Sequence, residues 1–122
     1  MAKYTNDDVM DAALNVILNN ANIMTACNAQ PTTRTEAVTT YALADVAMAP
    51  ADFTLGNGDT NGRKIAVAQK AGVTVDTTGT AIYIALCDAT RLLDVTTCTS
   101  QVLTAANTVT FPTWDHEISD PT

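Results

Sequence analysis

The sequence predicts a mainly β domain, an antiparallel β-sandwich or open barrel preceded by one N-terminal amphipathic α-helix. Three observations carry that expectation. Short apolar runs alternate with period two, turn residues separate them at close intervals, and one segment near the start repeats its apolar residues at helical spacing. The 122 residues, 47% of them hydrophobic, fit one domain with a single core. Its apolar positions are mostly Ala, Val, Ile and Leu, and only 5% of residues are aromatic. Such a core buries modest area per residue, and partner contacts would add what it lacks.

The expected parts are an N-terminal arm (1–5), a helix (6–20), a β-rich body (23–118) and a C-terminal tail (119–122). Thr5 with Asp8 resembles a capping box, and Asp7 and Asp8 lie where the helix dipole favours negative charge. Val9, Ala13, Val16, Ile17 and Asn20 then recur on one face, widened by Met10, Leu14 and Leu18. Asn19, Asn20 and Asn22 end the helix, because Asn tolerates left-handed geometry.

Ile23 to Cys27 reads as a short strand, followed by a loop from Asn28 to Arg34 that Pro31 stiffens. Glu36 to Met48 is ambiguous: Tyr41 to Val46 reads as a strand or a helical turn, with the strand favoured. Dense turn chemistry at Ala49 to Asp52 and Gly56 to Gly62 brackets Phe53-Thr54-Leu55. Ile65 and Val67, then Val73 and Val75, alternate with polar or small neighbours. Thr80 to Cys87, opened by Gly79, is apolar on both faces and should be a central, covered strand. Asp88 to Arg91 makes a turn into its hairpin partner, Leu92 to Cys98. Two more strands follow, Ser100 to Leu103 and Thr108 to Phe111, joined by a turn at Ala105-Ala106-Asn107. Trp114, His116 and Ile118 alternate with Asp115 and Glu117 in a last strand with one apolar face.

Thirteen acidic residues against six basic ones give a formal charge of −7, and Arg63-Lys64 is the only adjacent basic pair. That balance repels a phosphate backbone and excludes a nucleic-acid binder. Val9 to Leu18, the longest apolar-rich stretch, is too short to span a bilayer, so no membrane partner is expected. Cys27, Cys87 and Cys98 are odd in number, widely spaced and without a CxxC pair. They read as reduced thiols of a protein made in a cytoplasm, one of them open to a surface-reactive role.

Two segments invite a metal reading. Asn57 to Gly62 has oxygen side chains at alternate positions and Gly sixth, as in a calcium loop. The twelfth position, where a bidentate Glu is required, is Ala68, so a glycine-rich turn is expected instead. Asp115-His116-Glu117 with Asp120 gathers the only His and three carboxylates. A strand sends His116 to the face opposite Asp115 and Glu117, so these three do not converge. Ser100 and Ser119 lie outside any nucleophile turn, and Cys87 sits in a core strand where a thiol is inert. The expectation is therefore no enzyme, no catalytic residue, no metal and no cofactor. Glycan binding would need exposed aromatics, for which Tyr4, Tyr41 and Trp114 are the candidates.

Several segments taken in order resemble a family of small virion structural proteins of tailed bacteriophages, of the head-decoration or cement kind. They are Asp11-Ala12-Ala13-Leu14-Asn15, Cys27-Asn28-Ala29-Gln30-Pro31-Thr32-Thr33 and Thr39-Thr40-Tyr41-Ala42-Leu43-Ala44-Asp45, followed by the turn Gly62-Arg63-Lys64. Gly79-Thr80-Ala81, Ala85-Leu86-Cys87-Asp88 and Arg91-Leu92-Leu93 continue the likeness, and it closes on Asn107-Thr108-Val109-Thr110-Phe111 and Glu117-Ile118-Ser119-Asp120-Pro121. Pro112 and Trp114-Asp115-His116 depart from the pattern and put the pairing of the last strand in doubt. The resemblance implies a virion protein in many copies, made in a bacterial cytoplasm. Its implied partners are other virion proteins, above all the major capsid protein, and further copies of itself in a homo-oligomer. A host-contacting tail or fibre module that binds glycan is the alternative.

Overall fold

The structure is a computed structural model that describes residues 3–121. Met1 and Ala2 of the expected arm and Thr122 of the expected tail lie outside the described residues. In chain order the elements are α1 (Asp7–Asn20), β1 (Ile23–Cys27), β2 (Ala42–Ala47), β3 (Phe53–Asn57), β4 (Arg63–Val67), β5 (Lys70–Thr74), β6 (Gly79–Cys87), β7 (Leu92–Leu103), β8 (Thr108–Phe111) and β9 (Trp114–Ile118). The fold is mainly β with one N-terminal helix, as the residue pattern predicts, and its sheets form an open sandwich.

The helix starts on a different cap from the expected one. Asn6 is extended and its Oδ1 accepts from the Asp8 N–H at 2.7 Å, so Thr5 lies outside the cap. Its far end also departs from expectation, because Ala21 follows in extended geometry with no left-handed residue. Asn20 instead turns its side-chain amide back onto the Val16 carbonyl at 2.8 Å. Two residues on, Asn22 already bonds Cys87 O and Met48 N, which leaves no room for a left-handed cap. The buried stripe is Met10, Leu14, Ile17 and Ala21. Val9 and Val16, grouped with Ile17 by spacing, remain outside the core at 63% and 40% exposure.

The largest sheet has the order β2-β1-β6-β7, all antiparallel. As expected of a strand apolar on both faces, β6 is central. Ala81, Ile84 and Leu86 enter the main core with Leu14, Met24, Ile65 and Val67. Ala85 and Cys87 point the other way, into a smaller cluster with Cys27 and Ala37. That second face is roofed by a helical turn at Glu36–Thr40, closed by Tyr41 N–H onto Glu36 O at 2.8 Å. The ambiguous stretch therefore holds both elements, a helical turn and then β2.

One correction concerns β7. It runs unbroken for twelve residues, where the sequence divides it at Cys98–Ser100. The reason is a bulge: Cys98, Thr99 and Ser100 oppose the single residue Ile82 between the pairs Ala81↔Gln101 and Tyr83↔Thr97. Alternation breaks there without ending the strand.

A second sheet has the order β3-β4-β9, and β5 pairs with β8 in a third. The Ala44↔Val75 bridge joins the segment after β5 to β2. Pro112 falls between β8 and β9, which belong to different sheets, so the missing N–H marks a crossing. Across β3-β4-β9, the rows Phe53–Val67–Trp114 and Leu55–Ile65–His116 share the inner face. The helix lies against this sheet, clamped by Arg63, whose Nε and Nη2 reach the Asp11 carboxylate at 2.8 and 3.2 Å. Its Nη1 holds Asn57 at 2.7 Å, tying helix and hairpin together.

The cap assignment predicts that Asn6→Ala lowers stability by about 1 kcal/mol in urea denaturation, while Thr5→Ala changes it by less than about 0.5. Equal losses would return the cap to Thr5.

Candidate functional site

The two segments that invited metal readings meet in space. The Asn57–Gly62 turn is tightened by Gly58 N–H on Gly62 O at 2.9 Å, with Gly62 at φ 71°. A side chain at Gly62 would run into Ile118 O, so the turn presses directly on the end of β9. This contact sets Asp59 beside Asp115 and Glu117, with one oxygen of each within 4.8 Å of the others. Glu117 Oε1 accepts the Asp59 N–H. Lys64, on β4, spans the acids, its Nζ 2.7 Å from Asp59 and 3.4 Å from Asp115. The carboxylates hold the ammonium above its usual pKa, Asp59 foremost.

All three acids are exposed, so water screens the charges and each pair is worth little. The cluster stitches the turn to β9 and already contains a cation of its own. Ala68 has no carboxylate to offer, and its N–H bonds Asp52 O at 2.9 Å. Asp120 joins the same region through its backbone, donating N–H to Asn61 Oδ1 at 3.0 Å.

His116 does leave the face of its acidic neighbours, and its partner lies on another sheet. Its Nδ1 stands 3.1 Å from Asp94 Oδ2 on β7. Asp94 points inward because a bulge at Leu86/Cys87 sets it opposite Leu86. Its Oδ1 accepts the Val95 N–H at 3.0 Å, while Oδ2 is shut off from solvent without an aligned hydrogen bond. The imidazole contact is thus a close approach of Nδ1 to a buried carboxylate oxygen. Trp114 Nε1 is a second buried group without a partner among the described residues, and its ring packs against the main core. Burial raises the Asp94 pKa, and the nearby imidazole offsets part of the rise.

The remaining candidates disperse. Cys27 and Cys87 are buried, and burial pushes the Cys87 thiol up to about 11, which keeps it protonated. Half-buried Cys98 is raised for the same reason and lines a cavity of about 300 Å³ between β6, β7 and β8, beside Ile84, Leu103 and Phe111. Ser100 and Ser119 are exposed. Of the aromatic candidates, Tyr4 is 82% exposed, while Tyr41 and Trp114 are half-buried. Spacing alone missed three arrangements: Asp59 beside β9, Asp94 beneath His116, and Asp45 beside Asp76, where burial and the neighbouring carboxylate raise the Asp45 pKa.

Asp88 does the work its turn position implies. Its carboxylate accepts N–H groups from Thr90 and Arg91 and pairs with the Arg91 guanidinium at 2.7 Å, which holds its pKa down at about 2. Arg34 donates Nε to the Asp88 carbonyl at 2.7 Å and so fastens the first loop to this turn. Compared with known protein families, curated proteins and solved structures, the chain matches none.

Two carboxylates therefore act on stability with opposite sign. Asp94 binds its proton more tightly when folded, so its contribution is present below the ordinary value of 3.8 and lost as pH rises through the raised one. Asp94→Asn should gain about 1 kcal/mol at pH 7 and flatten the pH dependence above 3.8. Asp88 is depressed, so its contribution is present above 3.8 and lost as pH falls towards about 2. Asp88→Asn should destabilise at pH 7 and match the parent chain below about pH 2, measured by thermal melts across pH.

Proposed function

We propose that the chain is a non-catalytic structural protein of a bacteriophage virion, one that decorates or cements the capsid shell through protein–protein contacts. One observation carries the assembly part of this reading: the free edge of β7. That strand pairs with β6 on one side only, and no backbone bond from another element reaches residues 92–103 among the described residues. From Val95 to Val102 it has neither a charge nor a proline. Edges that stay in water are normally blunted by Lys, Pro, β-bulges or covering segments, and of these, residues 95–102 have the bulge alone. The bulge at Cys98–Ser100 bends this edge without adding charge, and Val102 is 73% exposed. A strand or loop of a neighbour laid along it would satisfy the open backbone groups and cover the apolar side chain.

The virion setting is supported by the likeness in segment order to small phage structural proteins. The partners it implies are the major capsid protein and further copies of this chain. The acidic balance argues against nucleic acid, and among the described residues no helix is long and apolar enough to cross a membrane. A specific interface of this class buries about 1,600 Å², repeated over many copies in a shell. The tail or fibre alternative has a thin basis, since Tyr4 is the one exposed aromatic among the described residues.

Particles lacking the protein should release their contents at lower temperature and under milder osmotic shock than complete particles. Equal survival would sink cementing, and cryo-electron microscopy density confined to the tail would move the protein off the head.

A further inference from the structure

We infer that the outward face of α1 is a second docking surface, built for an apolar protein surface rimmed by Lys or Arg. The inference rests on the assembly reading above. Val9, Ala12, Ala13 and Val16 follow the i, i+3, i+4, i+7 spacing that puts them on one side of the helix, and all four are exposed. Tyr4 stands at the entrance to the helix, 82% exposed. Among the described residues the exposed large hydrophobics are Tyr4, Val9, Val16, Ile82 and Val102, so three of these five belong to this helix and its lead-in. The inward stripe of Met10, Leu14 and Ile17 already anchors α1 to the core. A second stripe adds nothing to folding, and an apolar patch kept in water marks a contact surface.

Charge selects the occupant. Asp7 and Asp8 stand exposed in the first turn beside Val9, while Asp11 is taken by Arg63. The last turn contains no basic residue. A second copy laid antiparallel would set these carboxylates against the negative carbonyl end of the other helix, and a parallel copy would stack acid on acid. Both self-pairings are repulsive. Cations on the rim of a different protein would meet Asp7 and Asp8 directly, and the −7 charge of the chain would steer the encounter. Cementing also requires two separate contacts, since a single one attaches a subunit without joining its neighbours. The β7 edge and the α1 face belong to different elements of the fold and meet that requirement.

The test is binding of the purified chain to shells stripped of it, followed with Val9→Glu/Val16→Glu and Asp7→Asn/Asp8→Asn. Both pairs are exposed, so circular dichroism should show the parent fold. The valine pair should weaken binding by about tenfold or more, and the aspartate pair should flatten its salt dependence. If the parent chain binds and the valine pair binds equally well, the helix face is wrong while the assembly reading stands. An unchanged salt dependence overturns the basic rim. Sedimentation showing a dimer that Val9→Glu/Val16→Glu dissociates makes a second copy the occupant and also overturns the proposal. A parent chain that does not bind stripped shells at all removes the assembly reading, and this inference with it.

Discussion

The constraint on which the rest depends is that β6 is apolar on both faces and must be covered on both. Ala81, Ile84 and Leu86 demand one cover, and Ala85 and Cys87 another. A strand of this kind is stable only in the middle of a sheet with layers above and below. On one side the cover is α1 with the β3-β4-β9 sheet; on the other it is the turn at Glu36–Thr40, carried on the loop after β1. Thr25, fully buried on the neighbouring strand, shows how closed this centre is, and its hydroxyl lies 3.4 Å from the Cys27 thiol. The small side chains leave little aromatic bulk, so close approach of several layers supplies the packing.

What was legible in the residues was whatever depends on local period. The body of α1, the central strand, the Asp88 turn and the one-faced β9 all follow from spacing and turn chemistry. The failures have a shared cause, which is information held by a distant partner. The turn at Glu36–Thr40 packs Ala37 on Cys27, a contact that no spacing within the segment reveals. Cys98 to Ser100 reads as a strand boundary until Ile82 is placed opposite them.

The candidate sites divide the same way. The separation of His116 from Asp115 and Glu117 was legible, because a strand alternates. The approach of Asp59 to those acids was not, since it follows from the register that pairs Arg63 with Ile118. Asp94 was hidden for the same reason, its inward direction being set by a bulge. At Asp59 the fold uses its carboxylates to join elements, with Lys64 as the opposing group, whereas Asp94 lies close to His116 and binds its proton more tightly because it is buried.

The assembly reading turns on the backbone of β7, so amide hydrogen exchange tests it most directly. Exchange would be followed by mass spectrometry on the free chain and on intact particles. The account predicts that amides of β1 and β6 are slow in both states. The outward amides of residues 97–102 should be fast in the free chain and strongly protected on the particle. Equally fast exchange of residues 97–102 in both states would contradict it.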